Sequence, residues 1–195
     1  MFEAIKYNFA NLLNFRGREN RPTFWWYVLF LVILDFVLGL AISGPMVVGT
    51  VSTAINAAQG GASPEAMQAQ IANQVGAQMG SMIWVGGAVK LAIAALALAA
   101  FVRRVHDSDN SGWWAAVPLV VQVASFAFAV SMMGRIKDLV VAAASSTNLE
   151  MVAHQQAVMA RYGMIGWISP LVIVVFGLLA STEGPNRYGN PQPPL

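Results

Sequence analysis

The sequence has no cysteine among its 195 residues. Disulfides, thiolate metal sites and cysteine nucleophiles are therefore excluded together. Charge is also scarce. Asp, Glu, Lys and Arg make up 10% of the chain, against about 25% in soluble domains. With 57% hydrophobic residues gathered in runs, this deficit excludes an ordinary soluble fold. Segments of about 10 residues alternating apolar and polar, the mark of a membrane β-barrel, are missing too. No unbroken apolar core and no small-residue cleavage site precede Phe24, so the N-terminal segment is not expected to be a secretory signal. The formal charge of +2 is too small and too scattered to point to nucleic acid.

What the chain does have is four apolar stretches, at about 24–48, 82–102, 114–133 and 164–180. Without water, a segment must satisfy its backbone groups internally, so apolar runs of roughly 20 residues become membrane helices. The expected fold is all-α: a polytopic four-transmembrane-helix bundle forming one membrane domain over 1–195. Positive residues give it a direction. Lys6, Arg16, Arg18 and Arg21 precede the first stretch, Arg103 and Arg104 lie between the second and third, and Arg187 follows the fourth. The connectors about 50–81 and 134–163 carry only Arg135, Lys137 and Arg161. Positive residues favour the cytoplasmic side, so both termini are expected there.

The connectors are too long to be simple turns. Pro64 with Ser63 as cap predicts a helix over 64–79 with an apolar stripe of Ile71, Val75 and Met79. Ile136, Leu139, Val140 and Ala143 recur at helical spacing in the other connector. Phe2, Ile5, Phe9, Leu12 and Leu13 recur at spacings of three and four, with Lys6, Asn8 and Asn11 largely off the stripe. This predicts an N-terminal interfacial amphipathic helix, apolar face toward the membrane or the end of the bundle. Phe24, Trp25, Trp26 and Tyr27, and likewise Trp113 and Trp114, read as an aromatic belt at the interface.

Three polar clusters fall on the same expected side. They run from Phe15 to Trp26, from Arg103 to Trp114 and from Glu183 to Pro191, and contain Phe15-Arg16-Gly17-Arg18 followed by the aromatic pair Trp25-Trp26, Arg103-Arg104-Val105-His106-Asp107 with Ser111-Gly112-Trp113-Trp114, and Gly184-Pro185-Asn186-Arg187-Tyr188-Gly189. In that order they resemble the bacterial inner-membrane family called domain of unknown function 805. The resemblance covers the membrane region and implies a small polytopic inner-membrane protein, with no established activity. Two departures stand out: Asp109 occupies a turn where the family usually has glycine, and the two long connectors exceed what compact members need.

The clusters set six arginines (Arg16, Arg18, Arg21, Arg103, Arg104 and Arg187) against Glu19, Asp107, Asp109 and Glu183. Arginine and carboxylate pair in fork geometry where water is partly excluded, so a structural clasp is one reading. Excess arginine attracting the phosphates of anionic lipid is a second. An acid–base pair of His106 and Asp107 is a third. It is disfavoured because neighbours on one helix point apart and no nucleophile or metal set completes the site. Trp113, Trp114, Asn186 and Tyr188 belong to the same candidate face, and His154 falls on the opposite side.

Within the apolar stretches, Asp35 lies about 11 residues past the first cytoplasmic boundary and Lys90 about 12 before the second. At 1.5 Å per residue both sit roughly 17 Å deep. Opposite charges at one depth on consecutive antiparallel helices invite pairing, and a lone charge there costs about 2.5–3.5 kcal/mol. Gln122 is placed to join them. Pro118 and Pro170 are expected to kink their helices, and Gly86, Gly87, Gly166 and Gly177 to allow close helix contacts. The functional expectation is a non-enzymatic scaffold, regulatory or lipid- or partner-binding module without cofactor or metal. It would meet membrane lipids, anionic ones included, and a second copy or another membrane protein. The alternative is an oligomeric small transporter or channel component using Asp35 and Lys90.

Overall fold

The computed structural model describes residues 1–145, 157, 164 and 166–193, and side chains outside 136–145. His154 and Arg161 lie outside the described residues, as does the side chain of Lys137 and the apolar stripe at Ile136, Leu139, Val140 and Ala143. Among the described residues the regular structure is helical: α1 (Phe2–Ala10), α2 (Arg21–Gln59), α3 (Pro64–Asp107), a 3-10 turn (Gly112–Ala115), α4 (Ala116–Ser145) and α5 (Ile168–Leu178).

Three of these, α2, α3 and the segment Gly112–Arg135, are long and apolar enough to cross a membrane. α5 is equally apolar but has only 11 described residues, short of the roughly 20 a crossing takes. The first long connector is not a loop. α2 runs to Gln59 and α3 starts at Pro64. Ser63 caps α3 by accepting the Ala66 N–H at 3.3 Å, as its hydroxyl and the following proline predict. α2 has a cap of the same kind that the apolar pattern did not announce: Asn20 Oδ1 accepts the Thr23 N–H at 2.9 Å. The proline expectations change as well. Pro118 and Pro170 are each the third residue of their helices, where backbone donors have no partner to lose. The proline in a helix interior is Pro45, in α2.

The chain divides into two compact units. The first comprises residues 1–36, 90–124 and 165–195, the second 37–89 and 125–164. In the second, Thr53 of α2 donates a hydrogen bond to Gln74 of α3. Trp84 of α3 meets Phe126 of α4 edge to face, with centroids 5.6 Å apart. Gly87 lets that ring approach, since a Cβ there would stand 2.1 Å from it.

The first unit holds the main apolar core, built from Phe24, Tyr27, Leu31, Phe101, Val105 and Phe176 with small alanines between them. Phe24 and Tyr27 are therefore interior residues, not members of an interfacial belt, and the Tyr27 hydroxyl donates to the Leu96 carbonyl at 3.2 Å. Trp26, Trp113 and Trp114 are exposed. α1 keeps most of its apolar stripe exposed, the face an interfacial helix turns to the membrane. Ala4 and Asn8 are its buried residues, while Phe2 and Leu13 are exposed. The apolar contact that survives is Phe9, edge-on to Tyr27 and Phe30.

Gly177 is the tight point where α5 meets α2. A Cβ on it would lie 2.7 Å from the Trp25 ring and 3.1 Å from Phe24. The Trp25 indole N–H also donates to its carbonyl at 3.2 Å. Gly177→Ala should therefore cost about 1–3 kcal/mol by overpacking. Gly86→Ala, where a Cβ meets open space, should stay within about 0.5 kcal/mol of the parent. Thermal unfolding in one detergent compares the two, and equal midpoints would show that Gly177 is not a contact point.

Candidate functional site

The three polar clusters converge at one end of the first unit. The segment 15–20 enters through Gly17, at φ 85°, and its backbone is tied to α3 by the Glu19 N–H donating to the Arg103 carbonyl at 3.1 Å. α3 then ends at Asp107. The reversal puts Asp109 at φ 55°, a left-handed position that costs other residues more than glycine or Asx. This explains why glycine suits that turn. In the third cluster Asn186 and Gly189 exchange backbone hydrogen bonds at 3.1 and 3.0 Å around Arg187 and Tyr188, with Gly189 at φ 119°. The Asn-Arg-Tyr-Gly run is thus a tight turn.

Two buried ion networks form where these segments meet. In the first, Asp107 is the hub. Arg18 Nε donates to its Oδ1 at 2.9 Å, Arg104 Nη1 to its Oδ2 at 2.5 Å, and the Ser181 hydroxyl to Oδ2. The remaining donors of both arginines go to backbone. Arg18 reaches the carbonyls of Gly184 at 2.6 Å and Thr182 at 2.7 Å. Arg104 reaches those of Gly177 at 3.3 Å and Leu179. In the second network Arg103 binds Glu19 Oε2 through Nε at 3.0 Å and Nη2 at 2.8 Å. It also donates to Asn8 Oδ1 at 2.6 Å and to the carbonyls of Asn11 and Asn14 at 2.9 and 2.6 Å. Asn8 closes the ring by donating to Glu19 Oε1 at 2.8 Å. Burial raises the Glu19 carboxyl above its ordinary range, while the Arg103 guanidinium and the Asn8 amide pull it back. All five charged side chains are buried, which is tolerable only because each donor has an acceptor.

This separates the six arginines. Arg18, Arg103 and Arg104 are interior, and every guanidinium nitrogen has an acceptor. Arg21 is exposed and donates to the Leu179 carbonyl at 2.8 Å. Arg187 is exposed, 3.2 Å from Asp109 and 4.9 Å above the Tyr188 ring. Arg16 is exposed, and its guanidinium has no partner among the described residues. Glu183, expected in the network, is exposed and makes no ion pair among the described residues.

His106 and Asp107 do not face one another as an acid and base would. The Asp107 carboxylate is held by Arg18, Arg104 and Ser181, as above. The His106 ring stacks on Tyr188, with centroids 3.7 Å apart and planes 7° from parallel, and its Nδ1 lies 3.3 Å from the Gly17 carbonyl. Asn186 ties the tail to the same place, donating to the His106 carbonyl at 2.9 Å. Sequence reasoning missed Asn8, Ser181 and Thr182. Asn8 carried a signal, lying with Lys6 off the apolar stripe of α1.

Deeper in the same unit, Asp35 and Lys90 do meet, with Nζ 2.5 Å from Oδ2. They line a cavity of about 230 Å³ between α2, α3, α4 and α5, which Gln122 and Ser169 also reach.

The sequence profile of the family described as "Protein of unknown function (DUF805)" matches residues 12–190. Inner membrane protein YhaH of Escherichia coli strain K12 is 24% identical over 185 residues, covering 95% of this chain and 91% of its own. The protein of that name from Escherichia coli O157:H7 matches to the same extent. No solved structure matches. The matched residues take in all three clusters and the apolar helices, and the chain belongs to the DUF805 family of membrane proteins.

Proposed function

We propose that this protein is a multi-pass inner-membrane module with four crossings and both termini cytoplasmic, acting by binding and not by catalysis. The observation that carries this reading is the fate of the charged clusters. The groups that would do acid–base chemistry are consumed in holding the N-terminal segment, the end of α3 and the tail together. What remains outward is a rim: Phe2, Leu13, Phe15, Trp113 at 84% exposure, Arg16, and Lys6, whose only ionic partner among the described residues is an exposed Glu3 at 3.4 Å. Exposed aromatic and aliphatic side chains beside basic ones suit the headgroup layer of an anionic membrane. The asymmetry of positive residues supports the cytoplasmic side for it.

Each basic residue near such a surface contributes about 1 kcal/mol. Lys6→Gln with Arg16→Gln should therefore lower the share of acidic lipid retained by gently extracted protein, read by native mass spectrometry. Both side chains are exposed, so melting should not change. Reporter fusions at Ser108 and after residue 193 should read cytoplasmic, and one at Gly60 external. Unchanged acidic lipid in the double variant would overturn the headgroup reading in favour of a protein partner. A cytoplasmic signal at Gly60 would overturn the topology.

A further inference from the structure

The cavity beside Asp35 and Lys90 is apolar on most of its wall, with Leu31, Ile93 and Ile173 among its lining, but its polar groups are not all satisfied. The Ser169 hydroxyl donates to the Pro118 carbonyl at 3.2 Å. Lys90 gives one of its three donors to Asp35 Oδ2, leaving Oδ1 and the other donors over. Gln122, partly buried on α4, has no hydrogen-bond partner among the described residues. An amide without a partner in the membrane interior is costly, and here it stands at the edge of an empty volume.

We infer that this cavity is a binding site for a compact, uncharged amphiphile. Its apolar body would fill the space among the helices, and a hydroxyl or similar head would both donate and accept at Gln122 and the Asp35–Lys90 pair. Size supports this. About 230 Å³ exceeds the roughly 150 Å³ cavity that accepts benzene. Charge sets the head. The ion pair is already neutral, so a charged head would place a net charge at a depth where charge is disfavoured. Half-buried Lys90, with its side chain 53% exposed against 30% for Asp35, marks the open end through which a ligand enters. The site lies apart from the exposed rim and does not depend on how the rim binds.

Three probes share one body and differ only in the head: 1-naphthol, naphthalene and 1-naphthoate. Binding is measured by calorimetry on the full chain in nanodiscs of zwitterionic lipid, with empty discs subtracted to remove partitioning. Saturable 1:1 binding of 1-naphthol is expected, with naphthalene and 1-naphthoate each weaker by about tenfold, the worth of one good polar contact. Gln122→Leu should bring 1-naphthol down to the level of naphthalene without lowering the melting temperature, since it removes an unpartnered amide. Leu119→Trp, which fills the cavity, should abolish binding of all three. Absence of saturable binding would overturn the site, meaning that lipid chains occupy it. Tightest binding of 1-naphthoate, or an undiminished preference for 1-naphthol in Gln122→Leu, would overturn the assigned head.

Discussion

Asp107→Ala should be the most damaging single substitution outside the apolar core, lowering stability by about 3–5 kcal/mol. The carboxylate accepts from Arg18, Arg104 and Ser181. Its removal leaves two guanidinium groups buried without a counter-charge. Arg16→Ala is the control, because an exposed arginine with no side-chain partner among the described residues should change stability by less than about 0.5 kcal/mol. The readout is the unfolding midpoint in a single detergent. A triple variant with Asp107→Leu, Arg18→Met and Arg104→Met should recover much of the loss, since neutral side chains carry no stranded charge. If Asp107→Ala melted like Arg16→Ala, the buried network would not be holding the clusters together.

The parts of this arrangement visible in the sequence are those whose signal is local. Apolar runs announced α2, α3 and α4, and equal depth from a common surface brought Asp35 and Lys90 together correctly. The turn at Asp109 was visible as a departure from glycine. The helix over 64–79 was legible from Ser63 and Pro64, and α3 runs through it without a break. The first half of the connector was harder: α2 does not stop with the first apolar stretch but runs on to Gln59. A clasp was among the readings, but that Arg18, Arg103 and Arg104 are its buried members could not be read. Most of their acceptors are backbone carbonyls, at Asn11, Asn14, Gly177, Leu179, Thr182 and Gly184, and a carbonyl has no side-chain signature. Which arginine faced solvent depended on where the tail and the N-terminal segment docked. For the same reason the docked face of α1 could not be read: it is fixed by Asn8 reaching Glu19 and Arg103, while the apolar stripe stays exposed.

That contact gives Arg103 a role distinct from the Asp107 hub. Arg103→Met should release α1 from the first unit. It removes the counter-charge of a fully buried Glu19 and five hydrogen bonds, three of them to Asn8, Asn11 and Asn14. Stacking over the Tyr7 ring, 5.4 Å away, is lost as well. Hydrogen exchange at residues 5–13 should then rise by at least about a hundredfold, corresponding to some 3 kcal/mol of lost local protection. Glu19→Gln should cost less, about 1–3 kcal/mol, because a neutral amide still accepts from Arg103. Without its guanidinium partner the Glu19 carboxyl loses the chief influence opposing burial and shifts further upward. Pairing Arg103→Met with Glu19→Leu should restore part of the protection, as no charge is then stranded. A fall in global stability with unchanged exchange in α1 would show that Arg103 holds the end of α3 alone. Fast exchange confined to residues 5–13, with the rest of the unit still protected, is the result that identifies Arg103 as the anchor of the N-terminal helix.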